Sequence, residues 1–334
     1  MIRGYQLLVL LVISILAVSC FKEDEKITPH EPGNTRVDTI EITNLYKNQV
    51  YYDLGVGEPA SVNLRKLWDL GFGSAVDGWH VRLNTSCFMY AGTLSFGQFG
   101  MPADTTGVVW LFDNSNGDVD STAIGSWFNV IGNDTVSNGN LIIINRGLDE
   151  SGNERGLFQL MIDSLANNTF YFRVANLDGS NQRSMAISKD PELNHVLFSF
   201  KNEIDNFQEP PANSWDLLFT QYTTLLYTDL GEPYPYLVTG VLLNPARVEI
   251  AQDTINDFGN ITFESAKSLT YSTQQDFIGY DWKYYNFDTG VYTVRMDRVY
   301  IIRAESGYYY KLRFLGFYNG LGEKGYPSIE YQQL

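Results

Sequence analysis

Two Trp-Asp pairs, Trp68-Asp69 and Trp215-Asp216, lie 147 residues apart in similar surroundings. The first reads Leu67-Trp68-Asp69-Leu70-Gly71-Phe72 and the second Ser214-Trp215-Asp216-Leu217-Leu218-Phe219. Sliding the chain by that offset lays Val50-Tyr51-Tyr52-Asp53 over Leu197-Phe198-Ser199-Phe200. With some drift, Ile124-Gly125-Ser126-Trp127 then meets Ile278-Gly279-Tyr280-Asp281-Trp282, and Leu141 to Arg146 meets Val299 to Arg303. Four matches in one order predict an internal duplication of a domain-sized unit. A β-propeller is excluded, because blades repeat about every 40–45 residues.

The 334 residues suffice for two cores. Among them are 22 Tyr and 20 Phe, which favours strands, whose half-buried faces accept aromatic and β-branched side chains. The opening is of another kind. Arg3 precedes an apolar run from Leu7 to Val18 that ends in Ala17-Val18-Ser19-Cys20, too short for a membrane span and suited to a signal peptide over residues 1–19. The small residue before Cys20 resembles a bacterial lipobox, with Ala17 where Leu is usual, so Cys20 is expected to carry lipid. Phe21-Lys22-Glu23-Asp24-Glu25-Lys26 resembles the surface-export signal of Bacteroidetes lipoproteins and opens a polar tether expected over residues 20–38. With Cys20 lipidated, Cys87 remains alone and no intrachain disulfide can form. A net charge of −16 with no basic stripe argues against nucleic acid as a partner.

Beyond the tether the periodicity is that of strands. Trp79, Val81 and Leu83 alternate with His80, Arg82 and Asn84; Tyr292, Val294 and Met296 alternate with Thr293, Arg295 and Asp297; Tyr310, Leu312 and Phe314 alternate with Tyr309, Lys311 and Arg313. Each reads as a strand with one apolar and one wet face, as in antiparallel sheet packed on one side. Asn140 to Arg146 reads as a buried strand, Tyr234-Pro235-Tyr236 as a turn, and Lys201 to Phe207 as a short helix or a loop. Asp113 to Asp120 lacks the ligand order of a calcium loop and reads as a hairpin turn. The expected fold is all-β: two tandem antiparallel-sheet domains, residues 39–190 and 191–334.

The second unit carries Trp215-Asp216-Leu217-Leu218-Phe219, Ile278-Gly279-Tyr280-Asp281-Trp282-Lys283, Tyr309 to Phe314, Phe317-Tyr318-Asn319 and Lys324-Gly325-Tyr326-Pro327. In this order it resembles the HmuY-like family of Bacteroidetes lipoproteins over about residues 195–334. The first unit resembles it more faintly, through Tyr51 to Leu54, Trp68-Asp69 and Ile124 to Trp127. The resemblance implies an all-β fold, a lipid anchor at the outer membrane and exposure on the cell surface. It also implies a haemophore-like role in taking up haem or a related porphyrin beside a TonB-dependent receptor. The best-known members clamp haem iron between two histidines, and other relatives use methionine.

The chain has three histidines, His30, His80 and His195, and His30 lies in the tether. Shifted by the repeat, His80 and His195 fall on different positions, so they are not equivalent ligands in two copies of one site, and the family's histidine pair has no positions onto which it carries over. Haem needs an apolar slot and one or two soft or imidazole ligands, and it benefits from Arg or Lys near its carboxylates. The candidate ligands are His80, His195, Met101 and Met296. On pattern alone His80 sits on a polar face, His195 precedes a strand, and both are expected to be solvated. Met296 is expected in the core beside Tyr292 and Val294, and Met101, in a Gly-rich stretch, is expected to be exposed.

Nothing points to catalysis. There is no Gly-x-Ser-x-Gly elbow, no His-Glu-x-x-His motif and no phosphate-cradling Gly-Lys-Ser/Thr loop. The expectation is a binding protein for haem or a related porphyrin that performs no chemistry. The alternative is a surface module for glycan or protein whose haem site has been lost.

Overall fold

The structure, a computed structural model, describes residues 32–94, 98–131, 134–201, 207–245 and 247–334. The signal segment, Cys20, His30 and most of the tether lie outside these residues, as does most of the stretch read as a helix or loop after Lys201. The compact unit runs from Gly33 to Leu334.

The front half of the chain supplies β1 (Arg36–Thr39), β2 (Asn48–Asp53), β3 (Glu58–Leu64), β4 (Leu70–Gly73), β5 (Val81–Leu83), β6 (Tyr90–Leu94), β7 (Phe128–Ile131), β8 (Asp134–Ser137), β9 (Leu141–Asn145), β10 (Leu157–Ala166) and β11 (Thr169–Asn176). The back half supplies β12 (Arg183–Ser188), β13 (His195–Phe198), β14 (Leu217–Tyr227), β15 (Pro233–Leu243), β16 (Glu249–Asp253), β17 (Lys283–Asn286), β18 (Val291–Val294), β19 (Val299–Arg303), β20 (Tyr309–Tyr318) and β21 (Lys324–Gln333). Every strand pairing is antiparallel. A short helix, α1 (Phe263–Lys267), is closed by a Thr262–Ser265 capping box. The all-β expectation holds.

The halves build the same order of strands twice. β12, β11, β10, β9 and β6 are neighbours in one large sheet, and β1, β21, β20, β19 and β16 in the other. A smaller sheet runs β13-β4-β5, and its counterpart runs β2-β14-β15, with β3 added outside β2. Registers match residue for residue: Leu70 faces Leu83 and Phe198, and Leu217 faces Leu243 and Tyr52. Two hairpins, β7-β8 and β17-β18, each follow a buried tryptophan, Trp127 or Trp282.

Two things differ from the expected 39–190 and 191–334 partition: in strand order the back half opens with β12 at Arg183–Ser188, ahead of residue 191, and each half supplies the opening strands of the other's sheets. β1 and β2 open the chain but join the sheets of the back half; β12 and β13 open the back half but join those of the front. Two main cores follow from this exchange. One runs from Leu70 to Phe200, and the other joins Ile40 to Leu54 with Leu217 to Tyr331. The tether accordingly ends before residue 38, since β1 begins at Arg36 and the Gly33 amide already bonds the Gln333 carbonyl at 3.0 Å.

Local sequence explains the layers. β9 is apolar on both faces and wholly buried through Leu141 to Ile144, as a central strand covered on both sides must be. β21 alternates buried with half-exposed residues along its length. β12 alternates half-covered Arg183, Met185 and Ile187 with exposed Ser184, Ala186 and Ser188 and lies at a sheet edge. Two expectations fail locally. Tyr234-Pro235-Tyr236 lies inside β15, near its solvent-exposed start and away from β2, where proline is tolerated. The Asp113 to Asp120 segment is a chain of turns, but Asp113 itself is buried, accepting from the amides of Leu83 and Ala123 at 2.8 Å each.

Candidate functional site

The Trp-Asp pairs anchor the two small sheets. The amide of Asp69 donates to the Phe198 carbonyl and its Oδ2 accepts from the Phe200 amide; the amide of Asp216 donates to the Tyr52 carbonyl and its Oδ2 accepts from the Leu54 amide. One turn of sheet away, Asn84 Nδ2 bonds the carbonyls of Trp68 and Arg65, and Asn244 Nδ2 bonds those of Trp215 and Ala212. Both asparagine amides donate to the carbonyl of their aspartate. These groups fix the scaffold that carries the site.

On the β13-β4-β5 sheet, the register sets His195, Gly73 and His80 side by side, and Leu197, Gly71 and Arg82 in the next row but one. The two glycines clear the middle strand. A Cβ at Gly73 would stand 2.6 Å from His80 Cε1, so only glycine leaves room for the imidazole there. The two histidines meet across this gap with Nε2 to Nε2 at 3.2 Å and their rings edge to face. Glu209 holds His195 from behind: its Oε1 accepts from the His195 amide, and its Oε2 stands 3.9 Å from Nδ1. Burial, helped by the neighbouring His195, pushes His80 down to about 3, which keeps its imidazole neutral at physiological pH.

Both histidines line an open cleft of about 760 Å³, within the range of ligand sites. Trp79, Arg82, Arg247 and Gln275 share its wall. Arg247 is occupied by Glu305 at 2.9 Å. Arg82 is not: Nη1 and Nη2 both donate to Gln275 Oε1 at 3.1 Å, and no carboxylate among the described residues is within ion-pair distance. Behind the cleft, His195, Arg82 and Gln275 also line a smaller chamber of about 80 Å³ that takes in Gln49, Trp68, Leu218, Thr220 and Leu242 from the twin sheet and its surroundings.

Four residues were singled out from the sequence as candidate ligands, and the structure brings two of them together. The expectation that His80 and His195 are solvated is corrected: His195 is buried and His80 half-buried, because each covers the other over Gly73. They are not repeat-equivalent, as expected, yet they share one site because β13 is an exchanged strand. Met296 is 54% exposed, against the expectation of core packing, since it follows the end of β18. Met101 is 56% exposed, as expected. Neither methionine lines the cleft. Sequence reasoning passed over Gly73, Arg82 and Glu209. Arg82 had a signal, its place two residues from His80 on the polar face, whereas Glu209 had none. Among the described residues no group of three or more His, Cys, Asp or Glu is arranged to hold a metal ion.

The sequence profile of the family described as HmuY protein matches residues 45–331. No curated protein matches the chain. Among solved structures, the chain is similar to apo PinO from Porphyromonas gingivitis, at 8% identity and a TM-score of 0.30, covering 90% of this chain and 97% of that one. It is also similar to the apo HmuY analog of Tannerella forsythia, at 11% identity and a TM-score of 0.26, covering 92% and 98%.

Proposed function

We propose, on the premise that this chain belongs to the HmuY family, that its cleft binds haem or a related porphyrin for capture and hand-over, with no chemistry of its own. The observation that carries the reading is the His80–His195 pair at the wall of the cleft. Iron in haem takes imidazole as an axial ligand, and the imidazole must be neutral to ligate. A metal held at about 2 Å by each of two imidazoles sets their nitrogens about 4 Å apart, so the pair would open by somewhat under 1 Å. Glu209 beside His195 Nδ1 is placed to orient that ring, as carboxylates behind metal-bound histidines do. Trp79 offers an aromatic wall for a flat macrocycle.

The same reading sets the protein on the outer membrane by lipid at Cys20, exposed at the surface, where a TonB-dependent receptor would take over its cargo. It also takes the two halves as copies of one ancestral module, which the twin aspartate and asparagine networks support.

A haemin titration tests the function. The expected result is a sharpened, shifted Soret band that changes character in His80→Ala and in His195→Ala, and is unchanged in Met101→Ala and Met296→Ala. An unchanged wild-type spectrum at micromolar excess would remove the proposal.

One observation favours a second reading, a module for glycan or protein. Tyr284, Tyr285 and Phe287 stand exposed on the β17-β18 hairpin, with Phe287 89% exposed, and Tyr234 and Tyr236 are exposed on β15. Aromatics of this kind are enriched at interfaces. A glycan array and a pull-down from outer-membrane extract that both came up empty would count against it.

A further inference from the structure

We propose that Arg82 is the carboxylate anchor of this cleft, taking an acidic arm of the bound macrocycle in the place now filled by the Gln275 amide oxygen. The inference rests on the porphyrin reading above and adds to it the chemical class of ligand selected: a carboxylated macrocycle over its neutral ester.

Three observations carry it. Arg82, in β5, follows by two residues His80, which lies just ahead of that strand, and extended chain sets the two about 7 Å apart on the wall of one cleft. Its guanidinium gives two N–H groups to a single neutral oxygen, a fork geometry that a carboxylate satisfies with two oxygens. The nearby acids attract Arg82 only at longer range and accept their hydrogen bonds elsewhere: Asp113 accepts from two backbone amides, and Glu209 from the His195 amide.

The twin sheet supplies the control. Matching registers place Gly240, Leu242 and Gln49 where the first sheet has His80, Arg82 and His195. The second sheet pairs and packs without a charged or imidazole group at any of these positions, so the scaffold does not require them. All three departures converge on one cleft. In a chain of net charge −16 an anionic ligand gains nothing from long-range attraction, so a local cation has to supply the contact.

The experiment compares haemin with haemin dimethyl ester by absorbance titration on wild type, Arg82→Gln and Arg82→Lys, with urea unfolding to verify each fold. Wild type is expected to prefer haemin by about tenfold or more, the range of a hydrogen-bonded charge pair. Arg82→Gln should lose that preference while keeping the histidine-dependent Soret shift, and Arg82→Lys should fall between, since an ammonium cannot fork. The wild-type comparison needs no substitution, so it decides even if the variants fail to fold. Equal affinity of wild type for haemin and ester overturns the anchor and leaves the porphyrin reading standing, as does a full preference retained in Arg82→Gln. No spectral change with either compound overturns both.

Discussion

Asp69 and Asp216 occupy the same node of two matching networks, yet their second oxygens face opposite conditions. Asp69 Oδ1 accepts from Arg146 Nε at 3.0 Å and Arg155 Nη2 at 2.8 Å, whereas Asp216 Oδ1 accepts only from the Glu305 amide at 2.9 Å. One carboxylate balances two buried cations and the other balances none. Asp69→Asn should therefore strand Arg146 and Arg155 in the interior and cost about 3–5 kcal/mol. Asp216→Asn leaves one amide donor unmatched and should cost about 1–3 kcal/mol at neutral pH. Urea unfolding of the two variants checks the order; equal losses would show that the arginines do not depend on Asp69.

The matching order of strands left a trace in the sequence, in large aromatics and in two Trp-Asp pairs that each precede a strand. The exchange of opening strands did not, because β2 can pair with β4 or with β14 without altering a residue of its own alternation. Only the partner changes, and pairing over more than 160 residues leaves no local trace. The structural match of Tyr52 with Phe198 and Leu54 with Phe200 also falls one residue from the alignment that the sequence suggested. The histidine site was hidden for the same reason. His80 and His195 are 115 residues apart and meet only because β13 is inserted beside β4.

Wild type should gain stability over Asp216→Asn as pH falls from 7.5 to 5. Burial pushes both Asp113 and Asp216 up to about 6 from 3.8, so between about 4 and 6 the folded chain holds protons that the unfolded chain has released. That difference favours the fold at lower pH. His80 acts the other way: burial holds it near 3 instead of 6.5, so its contribution is lost as pH falls through that window. Lys283 acts with the imidazole: burial holds its ammonium down to about 7, so its charge costs the fold more as pH falls toward that value. The carboxyls are thus nearly offset in the whole chain, and the variant isolates one of them: the urea midpoint of wild type relative to Asp216→Asn, which cannot titrate, is expected to be higher at pH 5 than at 7.5. A relative midpoint that is the same at both pH values would contradict it.

Gly73→Ala should separate the site from the fold. The added methyl would meet His80 Cε1 at 2.6 Å and Nε2 at 2.9 Å, so the ring must turn away from His195. Overpacking of this kind costs about 1–3 kcal/mol, within reach of a stable domain. Haemin affinity is expected to drop at least tenfold with the cooperative unfolding transition retained. Gly71→Ala is the control, since its Cβ would sit 3.3 Å from His195 Cβ and leave the ring contact in place. Similar losses in both variants would mean that the His80–His195 contact does not set affinity.

The exchange of strands predicts unequal independence of the two cores. The segment 65–201 contains every strand of the core from Leu70 to Phe200, including its exchanged β12 and β13. The segment 207–334 lacks β1 and β2, which leaves the edges of β21 and β14 unpaired, takes the Leu54 amide from Asp216, and removes Ile40, Ile42, Val50, Tyr52 and Leu54 from its core. Burying five such side chains contributes on the order of 1.5–3 kcal/mol each for the aliphatic ones, comparable in sum to the whole stability of a domain. Fragment 65–201 should unfold cooperatively in urea with a near-ultraviolet circular dichroism signal from its packed aromatics. Fragment 207–334 should show neither until a peptide spanning 33–64 is added, when both should appear in proportion to peptide bound. Cooperative unfolding of 207–334 alone would mean that β1 and β2 are decorations on a core already complete without them.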